Sequence, residues 1–168
     1  LIDQVVQLFG MPQQVSADIC ILRDGGESDD AFEVTLHYAA ITVKVGSSPF
    51  EAGPTLRYAL QGTKGSYRKY HLDPQEDQLK AGMSFDEPEW SVAPAPQHGT
   101  LYLEDESKLV ATLNGGYTTF YRQLATALIT NNAEALPASG QSVAAVIRLI
   151  ELARLASEQQ QTLSVECI

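Results

Sequence analysis

Asp73 and Glu76 are the two acidic residues whose spacing most resembles paired catalytic carboxylates in this sequence. Two carboxylates that face one cleft can divide the work of a general acid and a general base. The full segment, however, reads Asp73-Pro74-Gln75-Glu76. An aspartate at the N-cap, a proline at the first helical position and a glutamate at N3 match a capping box. The sequence therefore favours a structural cap at Asp73 and Glu76 over catalysis.

The three histidines match no metal-binding or nucleophile motif. His37 falls within a predicted strand, His71 ends one, and His98 precedes a glycine in a loop, so structural or surface roles are favoured. The acidic segment 24–30 lacks the ligand order of a calcium loop and is expected to be a solvated hairpin loop. No G-x-S-x-G, H-E-x-x-H or C-x-x-C is present. We therefore predict no metal site and no catalytic residue in this chain.

A cofactor-binding motif is also missing. Gly62-Thr63-Lys64-Gly65 is not the G-x-G-x-x-G of a dinucleotide fold, and it joins two predicted strands instead of a strand and a helix. Glycines at both ends suit a tight hairpin turn. We therefore predict that the chain itself binds no cofactor.

Hydrophobic periodicity defines the elements that would carry these residues. Strands are predicted at 13–23, 32–38, 41–45, 56–61, 66–71, 100–104, 109–113 and 162–165, and helices at 1–9, from Asp73 onward, at 117–130 and at 142–158. Residues 81–97 are expected to form a long loop. The predicted fold class is α+β, an open, mostly antiparallel β-sheet with helices packed on one face. Its other face would carry the polar alternate residues Glu33, Thr35, His37, Thr42, Lys44 and Arg57.

Composition excludes several classes of protein. The chain has 168 residues, 44% of them hydrophobic, and a net charge of −10. This length suits one domain, and the acidic charge argues against a nucleic-acid groove or an anionic membrane surface. Cys20 and Cys167 are too few for a disulfide scaffold, which indicates a reducing, cytoplasmic setting. No signal peptide or apolar run near 18 residues is present, so no membrane segment is predicted.

Four stretches resemble the C-terminal half of the glucose–fructose oxidoreductase / inositol dehydrogenase (Gfo/Idh/MocA) family. They are LIDQVVQLFGMP at the start, GTKGSYRKYHLDPQEDQLKAG followed by Pro88-Glu89-Trp90, GGYTTFY, and VIRLIELARLAS near the end. Their order and spacing match the family's NAD(P)-dependent sugar and inositol dehydrogenases, and the resemblance covers essentially all 168 residues. The whole chain, 1–168, is therefore expected to be the substrate-binding and oligomerisation domain of such an enzyme.

The resemblance implies that the chemistry lies elsewhere in the protein. In this family an N-terminal Rossmann domain binds NAD or NADP and supplies a catalytic lysine. An Asp-x-x-x-His segment, which would lie just before Leu1, exchanges the substrate's hydroxyl proton. The match puts Asp3 beside the cleft entrance, although a helix-dipole role is equally consistent with its first-turn position. Tyr117, after two glycines, either points into the cleft or anchors the following helix.

The remaining expectations concern the whole protein. The chain opens inside a helix with no capping residue and no initiator Met, so a fragment is expected, inactive alone and partnered by its Rossmann domain. The substrate would be a sugar or polyol, and a homodimer would form through the exposed sheet face. Two alternatives remain: a non-enzymatic, sheet-mediated interaction domain, and a family member that has lost catalysis.

Overall fold

The computed structural model describes residues 1–165, which form two compact units: residues 1–51 with the segment from Ala138 onward, and residues 52–137. In chain order the elements are α1 (Ile2–Phe9), β1 (Gln14–Cys20), β2 (Ala31–His37), β3 (Thr42–Ser47), β4 (Leu56–Gly62), β5 (Gly65–Tyr70), α2 (Gln75–Lys80), a 3-10 turn (Ala95–Gln97), β6 (Gly99–Tyr102), β7 (Ser107–Val110), α3 (Tyr117–Thr130), a second 3-10 turn (Ala133–Ala135), α4 (Gly140–Gln159) and β8 (Leu163–Ser164).

The predicted α+β class with antiparallel strands is confirmed. Hydrogen bonding among the described strands, however, gives two four-stranded sheets where one open sheet was expected. The sheet orders are β3-β2-β1-β8 and β4-β5-β6-β7. Alternation along a strand shows which face is buried but not which strand lies beside it, so one sheet and two sheets give the same sequence pattern.

The first unit packs α1 and α4 against the sheet that contains β1 and β2. Its apolar core combines residues from strands and helices: Val5, Val15, Val34, Leu36, Leu149, Ala153 and Val165. Val15 pairs with Leu36 across β1 and β2, which places both side chains on one face. Leu149 of α4 is completely buried against this face. The expected final edge strand is confirmed, because β8 pairs with β1.

The opposite face of this sheet is polar, as the alternation predicts. Lys44 Nζ contacts Glu33 Oε1 at 2.7 Å, and Ser16 Oγ lies 3.2 Å from His37 Nε2. His37 therefore has a hydrogen-bonding partner within the sheet.

The acidic loop between β1 and β2 is held by its own hydrogen bonds. The Asp30 carboxylate accepts hydrogen bonds from the Leu22 and Arg23 amides at 2.7 and 3.2 Å.

The second unit has a sheet with two unlike faces. Tyr67, Lys69 and Gly99 belong to its half-buried or buried face, and the Tyr67 ring lies directly over Gly99, leaving no room for a Cβ. Tyr70, Tyr102 and Leu109 lie on the other face and are exposed.

The turn between β6 and β7 begins two residues earlier than the sequence predicted. The Leu103 amide donates a hydrogen bond to Glu106 O at 2.8 Å.

Two further predictions concern the cysteines and membrane segments. Cys20 is an exposed free thiol, and Cys167 lies outside the described residues. Within residues 1–165, no helix has the length and apolar character that a membrane crossing requires.

Candidate functional site

The start of α2 has a different cap from the one predicted. The helix begins at Gln75, with Pro74 at the N-cap position, one residue later than expected. Asp73 Oδ1 accepts a hydrogen bond from the Gln75 amide at 3.0 Å. Glu76 is consequently the second helical residue, where its carboxylate pairs with Lys80 Nζ at 2.7 Å, one turn further on. The reciprocal capping box is thus corrected: Asp73 binds the first helical amide, and Glu76 belongs to an exposed ion pair.

Gln75 links the first turn of α2 to the start of α3. Its side chain is only 2% exposed. Nε2 donates to Asp73 Oδ1 at 2.8 Å, and Oε1 accepts from the Tyr117 amide at 3.0 Å. A Cβ on Gly115 would overlap both Gln75 Nε2 and Asp73 Oδ2, so the chain approaches this pair as closely as a glycine allows. The α3 start, which has no side-chain cap of its own, is therefore bound by Gln75.

Gln78, one turn after Gln75, binds a second segment of backbone. Its Nε2 donates to Glu89 O at 2.9 Å, and its Oε1 accepts from the Ser91 amide at 2.8 Å. Ser91 has φ of +62°, a conformation that costs a non-glycine residue about 1–2 kcal/mol. Both glutamines were missed by sequence reasoning. The sequence signal that could have indicated them is that Gln75 and Gln78 are uncharged and lie three residues apart in a helix whose other polar residues are charged.

Lys69 forms a buried polar contact beside α2. The side chain is 9% exposed, and Nζ donates to Gln97 O at 2.6 Å. Thr112 Oγ1 donates to the same carbonyl at 3.3 Å. Burial lowers the pKa of Lys69, while the negative charge of Asp73 acts in the opposite direction. The ammonium group therefore holds the Gln97 backbone in place through this hydrogen bond.

A cavity of about 400 Å³ lies next to these residues in the second unit, within the size range of small-molecule sites. Its lining residues come from three segments: Gly53, Pro54, Thr55, His71, Leu72, Pro74, Asp77 and Gln97. His71 has φ of +67°, and its amide is held by Thr55 O at 2.8 Å. Gln97 Oε1 is buried without a hydrogen-bond partner among the described residues.

The predicted site residues fall in different parts of the chain. Asp3 is an exposed first-turn residue of α1, in the first unit. Tyr117 begins α3 in the second unit and is 44% exposed, with its amide bound by Gln75. His98 Nδ1 accepts from the Thr112 amide at 3.3 Å and so has a structural contact. In residues 1–165, no group of three or more His, Cys, Asp or Glu side chains could hold a metal ion.

The glycine pair Gly62 and Gly65 does not form the phosphate-binding turn of a dinucleotide site. Gly62 and Gly65 pair across the tight turn between β4 and β5, so this glycine pair closes a hairpin. A pyrophosphate site of the Rossmann type needs a glycine-rich turn that leads from a strand into a helix N-terminus. The turn at Gly62–Gly65 leads from a strand into a strand and cannot provide that arrangement.

Comparison with known proteins places the chain among oxidoreductases. The profile described as "Oxidoreductase family, C-terminal alpha/beta domain" matches residues 1–166. The chain is 33% identical to the Bacillus subtilis protein named scyllo-inositol 2-dehydrogenase (NADP(+)) IolW, over 99% of this chain and 47% of that protein. It is 34% identical to the uncharacterized oxidoreductase YdgJ of Escherichia coli, over 97% of this chain and 47% of that protein.

A solved oxidoreductase structure also matches the fold of this chain. The putative oxidoreductase YvaA from Bacillus subtilis superposes with a TM-score of 0.89 at 30% identity, covering 97% of this chain and 48% of that one. The chain thus spans about half the length of the relatives that it matches.

Proposed function

The chain belongs to the Gfo/Idh/MocA oxidoreductase family as its C-terminal domain, and on that premise we propose that it is the substrate-binding and dimerisation half of an NAD(P)-dependent sugar or polyol dehydrogenase. The observation that carries the proposal is the family match over residues 1–166. The name of the Bacillus subtilis inositol dehydrogenase supports a cyclic polyol as substrate. Substrate and nicotinamide must be held in near-attack geometry for hydride transfer.

The family match supports a division of labour between two domains. The Gly62–Gly65 turn joins two strands. NAD or NADP and the catalytic lysine are proposed to come from an N-terminal Rossmann domain, and the catalytic histidine from the segment just before Leu1. NAD(P) supplies the hydride acceptor when bound. Residues of this chain would orient the substrate's remaining hydroxyls from a rigid base. Tyr117 is the substrate-side residue that we favour, because it is exposed while its backbone is fixed by Gln75. Asp3 is the second candidate, from its exposed place in α1.

The test is an assay of the complete gene product with NAD⁺ and NADP⁺ against myo-inositol, scyllo-inositol and D-glucose. We expect NAD(P)H formation with at least one of these polyols. If the complete protein binds NAD(P)H yet turns over no sugar or polyol, the dehydrogenase proposal fails and a relative that has lost catalysis takes its place.

We propose that the protein forms a homodimer through an exposed sheet face. The sequence predicted the polar face that carries Glu33 and Lys44, whereas the second sheet offers a more apolar face that carries Tyr70, Tyr102 and Leu109, and we place the dimer there. These three side chains share one face of the second sheet, and Leu109 is 64% exposed. Burying such apolar area favours association. Leu109→Asp should shift the complete protein from dimer towards monomer in sedimentation velocity. Leu128→Asp on α3 removes a similarly exposed leucine off the sheet and should leave the dimer intact. A wild-type protein that sediments only as monomer at high concentration would refute the dimer.

A further inference from the structure

The side-chain amide of Gln75 is held in one orientation by its two partners. Nε2 donates to Asp73 Oδ1 at 2.8 Å, and an ionised carboxylate can only accept. Oε1 is therefore the atom that faces α3, where it accepts from the Tyr117 amide at 3.0 Å. We propose that Gln75 is a positioning residue for substrate binding that acts through Tyr117, whereas Gln78 on the same helix serves the fold alone. This inference rests on the proposed function and deepens it.

The backbone that leads into Tyr117 depends on Gln75 for its position. Gly115 and Gly116 precede Tyr117, and glycine has the widest conformational freedom of all residues. The first amides of a helix have no partner within the helix, and α3 has no side-chain cap at Gly116, where a serine, threonine, aspartate or asparagine could supply one. A buried glutamine, 42 residues earlier in the chain and 2% exposed, binds this helix start instead. The position of Tyr117 is therefore set from α2.

The side chain of Tyr117 remains available although its backbone is held. The residue is 44% exposed, and its hydroxyl has no hydrogen-bond partner among the described residues. A phenol hydroxyl can donate and accept, so it can bind a substrate hydroxyl in either sense. A side chain binds a substrate most tightly when supporting residues hold it in the productive position. Gln75 provides such support, because its own amide is fixed by Asp73.

Gln78 makes contacts of the same kind with a different segment. Its amide binds Glu89 O and the Ser91 amide at 2.9 and 2.8 Å, on either side of the buried Trp90. Neither contact involves α3. Gln75 and Gln78 thus have the same side chain, the same helix and two side-chain hydrogen bonds each, and they differ in the segment that they hold. Gln78 is therefore a matched control for Gln75.

The experiment compares Gln75→Met and Gln78→Met in the complete gene product. Methionine has a volume close to that of glutamine but no N–H donor and only a weak acceptor, so each variant keeps the packing and loses the hydrogen bonds. Circular dichroism checks that both variants fold. Only Gln75→Met should raise KM for the polyol that wild type oxidises, by about tenfold with kcat within about threefold, as expected for the loss of one substrate hydrogen bond. Gln78→Met should keep the wild-type KM.

Tyr117→Phe shows whether the effect of Gln75 passes through the Tyr117 hydroxyl. This variant keeps the ring and loses only the hydroxyl, so KM should rise about tenfold. The double variant Gln75→Met/Tyr117→Phe should then have the KM of Tyr117→Phe alone, because residues that act through one contact are not additive. An unchanged KM in either single variant, an equal rise in Gln78→Met, or a multiplicative rise of roughly a hundredfold in the double variant would each overturn the inference. Wild-type turnover would still support the proposed function.

Amide hydrogen exchange tests the role of Gln75 without turnover. In wild type the Tyr117 amide should exchange at least about tenfold more slowly than an unbonded first-turn amide, because Gln75 Oε1 accepts its proton. Gln75→Met should remove this protection and Gln78→Met should keep it. If wild type oxidises no polyol, the proposed function fails and these rates decide the inference. A loss of protection confined to Gln75→Met would support it, and equal rates in the two variants or fast exchange in wild type would overturn it.

Discussion

Replacing Leu149 by alanine is expected to lower the free energy of unfolding by about 2–5 kcal/mol. Leu149 is completely buried and packs in the cluster of Val15, Val34 and Leu36 that joins α4 to the first sheet. Its truncation removes apolar contacts and leaves a cavity that the β-branched strand residues around it cannot close. Urea denaturation followed by circular dichroism measures the difference.

The matched control for this variant is Leu155→Ala. Leu155 lies on the same helix but is 41% exposed, so its truncation should cost less than about 1 kcal/mol. Equal losses in the two variants would mean that α4 does not pack through Leu149 as described.

Gly115→Ala is expected to lower the free energy of unfolding by about 2–4 kcal/mol, from overpacking and from broken hydrogen bonds. Its new methyl group would overlap Gln75 Nε2 and Asp73 Oδ2. Gln75 cannot move aside freely, because it is buried and bonded to Asp73 and to the Tyr117 amide. Urea denaturation reports the loss of stability.

Two comparisons isolate this effect. Gly116→Ala adds a methyl group that would lie 3.3 Å from Cβ of the exposed Thr119, a contact that a shift of a few tenths of an ångström relieves, so the loss should stay below about 1 kcal/mol. The double variant Gly115→Ala/Gln75→Ala removes the side chain that is overlapped. Its loss should be smaller than the sum of the two single losses, as for residues in contact. Strict additivity would contradict the contact.

The strands were largely predictable because their alternation reports burial directly. Phe32–Tyr38 reads as one half-buried strand, and Val34 and Leu36 are indeed buried while Glu33 faces outward. The β6–β7 turn was misplaced because the pattern assigned Leu103 to a strand. In the structure Tyr102 pairs with Ser107, so Leu103 begins the turn. An apolar residue in a turn has no signature in the period-two pattern.

The site was less predictable than the fold, because its contacts join distant segments. The capping signal at Asp73 was correct in kind, but the one-residue shift of α2 gave Glu76 a different partner. Gln75 and Gln78 bind backbone groups 42 and 13 residues away, and no local pattern indicates such partners. The burial of Gln97 Oε1 without a hydrogen-bond partner likewise depends on the 3-10 turn before β6, which the sequence pattern did not predict.

The most direct measurement of the central claim, that these residues present a substrate to chemistry supplied by another domain, is a fluorescence titration of NADH and NADPH. It compares the complete gene product with the 168-residue chain alone, whose fold is first checked by circular dichroism. The account predicts saturable binding, and polyol-dependent turnover, by the complete protein only. Saturable nicotinamide binding or turnover by the 168-residue chain alone would contradict it.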